Sequence, residues 1–227
     1  TVFVSAGIYQ QSITLKDGVN VFGGYDVITG ERNVDANLTI LDGTTLKTPL
    51  VIATKANTNP VYVDGFILQN ANHTSAGGAA VLKANAILNH CTIRNCYTSG
   101  SGGGVHNAGV VSNCIIELCE ALGAGGAVHN VGGVVENTII RGCKGNYAAI
   151  RNENNGIVRN CLLHNNEPSN SAWPNSGGIY NPSGVVYNCT MACNFGSQYA
   201  GFHSDNIAYN NLMWNNQSEE GFADPAN

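Results

Sequence analysis

Five short stretches of the chain share one pattern, and the third residue of each can do chemistry. They read Gly-Val-His-Asn at 104–107, Ala-Val-His-Asn at 127–130, Ala-Ile-Arg-Asn at 149–152, Gly-Ile-Tyr-Asn at 178–181 and Gly-Phe-His-Ser at 201–204. The third positions are His106, His129, Arg151, Tyr180 and His203. Imidazoles move protons near neutral pH, a guanidinium grips carboxylates, and a phenol ring offers a flat face to a sugar. Glu153 and Asp205 follow Arg151 and His203 by two residues. They are the carboxylates best placed to orient Arg151 or His203 as a base in polysaccharide lysis or hydrolysis, since proton transfer needs a positioned acid and base. The longest insertion, Glu167 to Ser176, carries Trp173 and enters the stretch containing Tyr180, so Trp173 is expected to wall a groove along this row. In that groove the row is lined by small residues, Gly104, Ala127, Ala149, Gly178 and Gly201. Three readings stay open. The row is an exposed strand face favoured by β-propensity, or it binds glycan through His106, His129, Arg151, Trp173, Tyr180 and His203, or it is catalytic. Glycoside hydrolysis usually needs two facing carboxylates, and no dense acidic cluster or acidic calcium site is visible, which favours binding over catalysis.

What must position these residues is a repeat. Ser-Asn-Cys-Ile-Ile-Glu-Leu-Cys at 112–119 recurs at 89–96 and 136–143, and weaker copies follow at 159–166, 187–194 and 209–216, with another at 63–70. One apolar column through them gives Ile67, Ile93, Ile116, Ile140, Leu163, Met191 and Met213, at steps of 26, 23, 24, 23, 28 and 22 residues, and extends back toward Ile40 and Val21. A third segment begins Gly-Val-Val or Gly-Ile-Val at 109, 133, 156 and 184. A period near two dozen residues with three short strands and no helix predicts an all-β solenoid, a right-handed single-stranded parallel β-helix of eight or nine coils. It is expected to form a single domain over 1–227, with less regular coils over 1–62, regular repeats over 63–216 and a tail over 217–227. Val105, Val128, Ile150, Ile179 and Phe202 then point inward, and strand alternation puts the His/Arg/Tyr row outside. Asn107, Asn130, Asn152 and Asn181 stack at one bend, and Asn113, Asn137, Asn160, Asn188 and Asn210 at another, where amides can hydrogen-bond along the axis.

The pairing of Gly-Gly-Ala-Val or Gly-Gly-Ile (Gly125 to Val128, Gly177 to Ile179) with apolar-x-x-Asn (Ile67 to Asn70, Leu163 to Asn166, Met213 to Asn216) resembles the repeats of polymorphic outer-membrane proteins. Here Ile, Leu or Met replaces the family's Phe, and Cys96, Cys119 and Cys143 replace its Asn. The opening, Val2 to Tyr9 through Leu15 to Val19 and Phe22 to Tyr25, is similar to the first coils of the pectate-lyase-like superfamily. The resemblance implies an extracellular or cell-surface scaffold. Because the superfamily hosts lyases, hydrolases, esterases and adhesins, it specifies fold and leaves chemistry open.

The composition fits. Only 11% of the chain is charged, against roughly 25% for an average soluble protein, while 32 Asn and 28 Gly replace the missing charge. A net charge of -5 argues against nucleic acid as a partner, and no apolar run approaches the roughly 18 residues of a membrane span. The eight cysteines contain no Cys-x-x-Cys pair, and seven fall in two core columns with Cys193 one place out of register, so they read as small buried fillers rather than disulfides or zinc ligands, and no cofactor or metal is expected. Charges alternate in sign between copies (Arg94, Glu117, Arg141; Glu120, Lys144, Glu167; Glu136 with Arg159), as outward ion-pair ladders do. An aliphatic row, Phe66, Ile115, Ile139, Leu162 and Leu212, is expected to face outward and be covered by a partner. Glycan or another surface protein, and lateral or end-to-end self-association, are therefore the expected partnerships. The chain opens in a strand at Thr1 to Val4, as a chain cleaved from a precursor or cut from a longer one would.

Overall fold

Every strand pairing between named strands is parallel and joins one copy of the repeat to the next, so the chain winds as a parallel β-helix of about nine coils in the computed structural model, which describes residues 1–169 and 176–219. Among the described residues there is no helix. Two nine-stranded sheets and one eight-stranded sheet run along the axis, here called A, B and C. One coil shows the order: Ala86–Asn89 in sheet A, Thr92–Arg94 in B, Val105–Asn107 in C, then Val110–Ser112 back in A. Between B and C a fourth, narrow ladder of two-residue strands begins at Asn72–His73 (sheet D). The ladder is continued by Phe195–Gly196 and Gln217–Ser218, so the expected tail opens with a strand. No helix among the described residues is long and apolar enough to cross a membrane.

Stacking follows the predicted register over most of the chain. Ile93, Ile116, Ile140, Leu163 and Met191 are piled in consecutive coils with no exposure. Upstream, however, the inward column shifts by one residue. Ile93 sits on Leu68 and Leu68 on Leu41, while Ile67 and Ile40 belong to the outward column with Thr92 and Ile115. Phe66, expected outside, is 1% exposed. Val21 lies in sheet A against Val2 and Val63, not in this column. The run Phe66-Ile67-Leu68 is apolar at every position, so alternation could not tell its two faces apart.

The bends explain the asparagines. At the corner from A to B one residue per coil takes a left-handed backbone: His90, Asn113, Asn137, Asn160, Asn188 and Asn210, with φ between 47° and 55°. The corner from B to D repeats this with Asn70, Asn95, Leu118, Gly142, Asn165, Cys193 and Asn215. Asn and Gly tolerate that conformation better than other residues. At the corner from C to A the amides turn inward instead. Asn107 donates to Asn130 at 2.7 Å, Asn130 to Asn152 at 2.7 Å and Asn152 to Asn181 at 2.9 Å, all four with no exposure. Their second N–H bonds serve bend carbonyls such as Gly133 O at 3.0 Å, and the Asn107 oxygen accepts from Gly109 N at 3.0 Å.

A further inward ladder uses two residue types for one task. Cys143 Sγ donates to Ile116 O at 3.8 Å, and in the next coils Asn166, Asn194 and Asn216 donate to Ile140, Leu163 and Met191 O at 2.9 to 3.1 Å. This is why Cys stands where the repeat elsewhere has Asn. All eight cysteines are free thiols, seven of them buried, and burial pushes the Cys91 and Cys119 thiols well up. Cys193 is the exposed one, at a left-handed bend.

Two outcomes follow. Asn130→Ala strands buried partners on both sides, and each unsatisfied group costs roughly 1–3 kcal/mol, so urea unfolding should show a loss of about 3 kcal/mol. Leu118, 60% exposed at φ 54°, occupies a bend its equivalents fill with Asn or Gly, apart from Cys193. Leu118→Asn should raise the urea midpoint, by about 1 kcal/mol of stability.

Candidate functional site

The outward column of sheet C runs Thr14, Ile52, Val81, His106, His129, Arg151, Tyr180, His203, each paired to the next. All five sequence-predicted side chains of this row that lie in strands are therefore brought into one ridge. From Ile52 to His203 are six steps of about 4.8 Å, or about 29 Å. Trp173 lies outside the described residues.

The ridge is internally engaged. His106 and His129 meet edge to face at 5.0 Å between centroids. His129 Nε2 lies 2.8 Å from Glu153 Oε1, and the other oxygen of Glu153 accepts from Arg151 Nε at 2.8 Å. The Arg151 guanidinium lies over Tyr147 at 5.0 Å and Tyr180 at 5.7 Å. Tyr180 stacks on His203 at 5.0 Å, and Tyr199 covers His203 at 4.2 Å, nearly parallel. Asp205 closes the row, 3.3 Å from His203 Nε2 and 3.5 Å from the Tyr180 hydroxyl, which donates to it. The two expected pairs, Arg151 with Glu153 and His203 with Asp205, thus both form.

Tyr147 and Tyr199 escaped the sequence reading because they lie in loops before the strands. The signal was their offset, each four residues ahead of its ridge residue, Arg151 and His203. The expected lining of small residues is absent, because Gly104, Ala127, Ala149, Gly178 and Gly201 are buried, and a Cβ on Gly104 would meet Ile116 and Ile93 in the core. The cause is a local break in alternation. Gly104 N and Val105 N both donate to Ala127 O, and Ala127 N and Val128 N both to Ala149 O, so two successive residues face inward.

A groove of about 510 Å³ continues the ridge toward the N-terminal coils. Ile52 and Val81 of the same column form its floor, with Pro49, Lys47, Lys83 and His73 around it and no carboxylate in the lining. Neither Lys47 nor Lys83 has an ion-pair partner among the described residues. The face is thus cationic at one end and aromatic at the other.

Electrostatics separate the groups by role. Burial, then the positive charges of His129 and Lys83, push His106 down to about 4. Burial likewise lowers His129, against its bond to Glu153. Burial would raise Glu153, but the His129 bond and the Arg151 charge outweigh it and hold Glu153 below its ordinary range, so it stays ionised. Burial and the Asp205 charge raise Tyr180. Glu153 and Asp205 sit two coils apart, about 10 Å between their backbones by strand spacing, and each carboxylate is taken up by its own partners, Glu153 by His129 and Arg151 and Asp205 by His203 and Tyr180.

The chain matches no family model, no curated protein and no solved structure. What the structure establishes is the architecture, a parallel β-solenoid of about nine coils.

A pH dependence follows from the histidines. The folded state holds His106 neutral down to about 4, whereas the unfolded chain takes up that proton near 6.5. Stability contributed by the neutral ring is therefore present above 6.5 and is lost as pH falls toward 4. The urea midpoint should decline across that window, and less steeply in His106→Gln. Equal slopes for the two proteins would contradict this assignment.

Proposed function

We propose that the protein is an extracellular or cell-surface β-helix scaffold that binds glycan along the outer face of sheet C. The observation that carries this reading is the unbroken ridge from His106 to His203, whose members engage one another edge to face, through Glu153, or by stacking. Binding to a rigid strand face costs little ordering, and the ring edges, phenol hydroxyls and guanidinium along the ridge offer apolar contact and hydrogen bonds to sugar hydroxyls. The groove at Lys47 and Lys83 supports a glycan bearing carboxylate or sulfate groups there, since two unpaired cations face it without a competing carboxylate. The cell-surface placement rests on the resemblance of the repeat and of the opening coils to surface β-helix proteins.

The test is binding of neutral and acidic polysaccharides, with circular dichroism as the folding control. Tyr180→Ala or Tyr199→Ala should weaken binding by about tenfold, the value of one lost aromatic contact. Lys83→Ala should weaken only charged glycans and reduce the salt dependence of their binding. If no polysaccharide in the panel binds, the reading falls. Unsaturated products or new reducing ends that disappear in His203→Ala or Arg151→Ala would move the protein to the polysaccharide-degrading enzymes instead.

A further inference from the structure

The outer face of sheet A carries an aliphatic stripe that the glycan-binding reading does not use. Its outward column reads Ile87, Val110, Val134, Ile157, Val185 and Ile207 in six consecutive coils. The first five are half-buried and Ile207 is 56% exposed. A contiguous apolar patch of this length is uncommon on a monomer and marks an interaction surface. Two residues further along the same strands stands a polar column, Asn89, Ser112, Glu136, Arg159, Tyr187 and Tyr209. Arg159 holds Glu136 at 2.5 to 2.8 Å and donates to the Tyr187 hydroxyl at 3.1 Å. Next to it, at the bend, are the exposed amides of Asn113, Asn137, Asn160 and Asn188.

We propose that this face binds a second copy of the chain, related by a twofold axis in the interface that runs along the strands. Such an axis reverses the order of coils and leaves each column opposite itself, as an isologous contact requires. Placed midway between the coils of Glu136 and Arg159, it sets Glu136 against Arg159 of the other copy, twice. The same placement sets Val134 against Ile157, Val110 against Val185, Ile87 against Ile207, and Asn137 against Asn160. The charge pattern selects this register: an axis through the Glu136 coil faces that carboxylate with itself, and one coil earlier Glu136 meets Ser112 and Arg159 meets Asn89. A twofold along the solenoid midway between the columns lays the aliphatic one on the charged one, and one through the aliphatic column carries Glu136 and Arg159 away from each other's counterparts. The footprint, roughly 25 Å by 16 Å from strand spacing and rise, gives about 400 Å² per copy, below the roughly 800 Å² of a standard interface. The dimer is therefore reversible and concentration-dependent. It leaves sheet C free, so glycan binding and dimerisation stand or fall separately.

Sedimentation equilibrium from low to high micromolar protein tests this. The weight-average mass should climb from 23.8 kDa toward twice that value, and Val134→Lys should hold it at the monomer. Glu136→Arg and Arg159→Glu should each weaken self-association by about tenfold, and an equimolar mixture of the two variants should recover it, because each then supplies the charge the other lacks. That recovery separates contact between copies from the pair within one copy, which the mixture leaves broken. A mass that stays at the monomer value throughout, a dimer unaffected by Val134→Lys, or a mixture that associates no better than either variant alone would overturn the proposal.

Discussion

Everything in this molecule depends on parallel strands stacked in register at about 4.8 Å, because that geometry makes each residue's closest neighbours the same position one coil above and one below. Backbone bonds between strands are satisfied along the axis, but the corners interrupt the ladders, and polar groups at a buried corner must find partners inside the core. The Asn107–Asn130–Asn152–Asn181 stack supplies them, Asn130 and Asn152 each accepting from the coil before and donating to the coil after. The Cys143 and Asn166 column solves the same problem at a second corner, where a thiol and an amide reach for equivalent carbonyls. A chain with so little charge can close these corners because amides are neutral and carry both donor and acceptor.

The same stacking turns chemistry into rows. A side chain useful once is repeated or complemented a few ångströms away, so His129, Glu153 and Arg151 become one hydrogen-bonded cluster and Tyr180, His203 and Tyr199 one aromatic stack. Such rows suit recognition of an extended polymer. They are less suited to turnover, for which two groups need different environments at one point, and here Glu153 is already committed to His129 and Arg151.

How much could be read from sequence alone follows from the same rule. The coil period and the buried amide ladder were legible because Asn107, Asn130, Asn152 and Asn181 keep one residue type at one offset. The His/Arg/Tyr ridge was legible because small or apolar residues frame each member. The upstream face assignment was not, since Phe66, Ile67 and Leu68 are all apolar, and the outward Val110 of sheet A hid for the same reason beside the inward Val111. The break in alternation at Gly104 and Val105 is a backbone event with no residue signature beyond glycine. Tyr147 and Tyr199 stood in loops whose lengths vary, where the repeat gives no frame to count from.

Because each coil touches only its immediate neighbours in the sheets, the molecule behaves as a ruler graduated in units of about two dozen residues. Adding or removing one whole graduation would rejoin the cut surfaces with matching rails, lengthening or shortening the exterior without disturbing what lies at either side. Evolution can thus adjust reach, and the number of rungs offered to an elongated partner, by duplication alone.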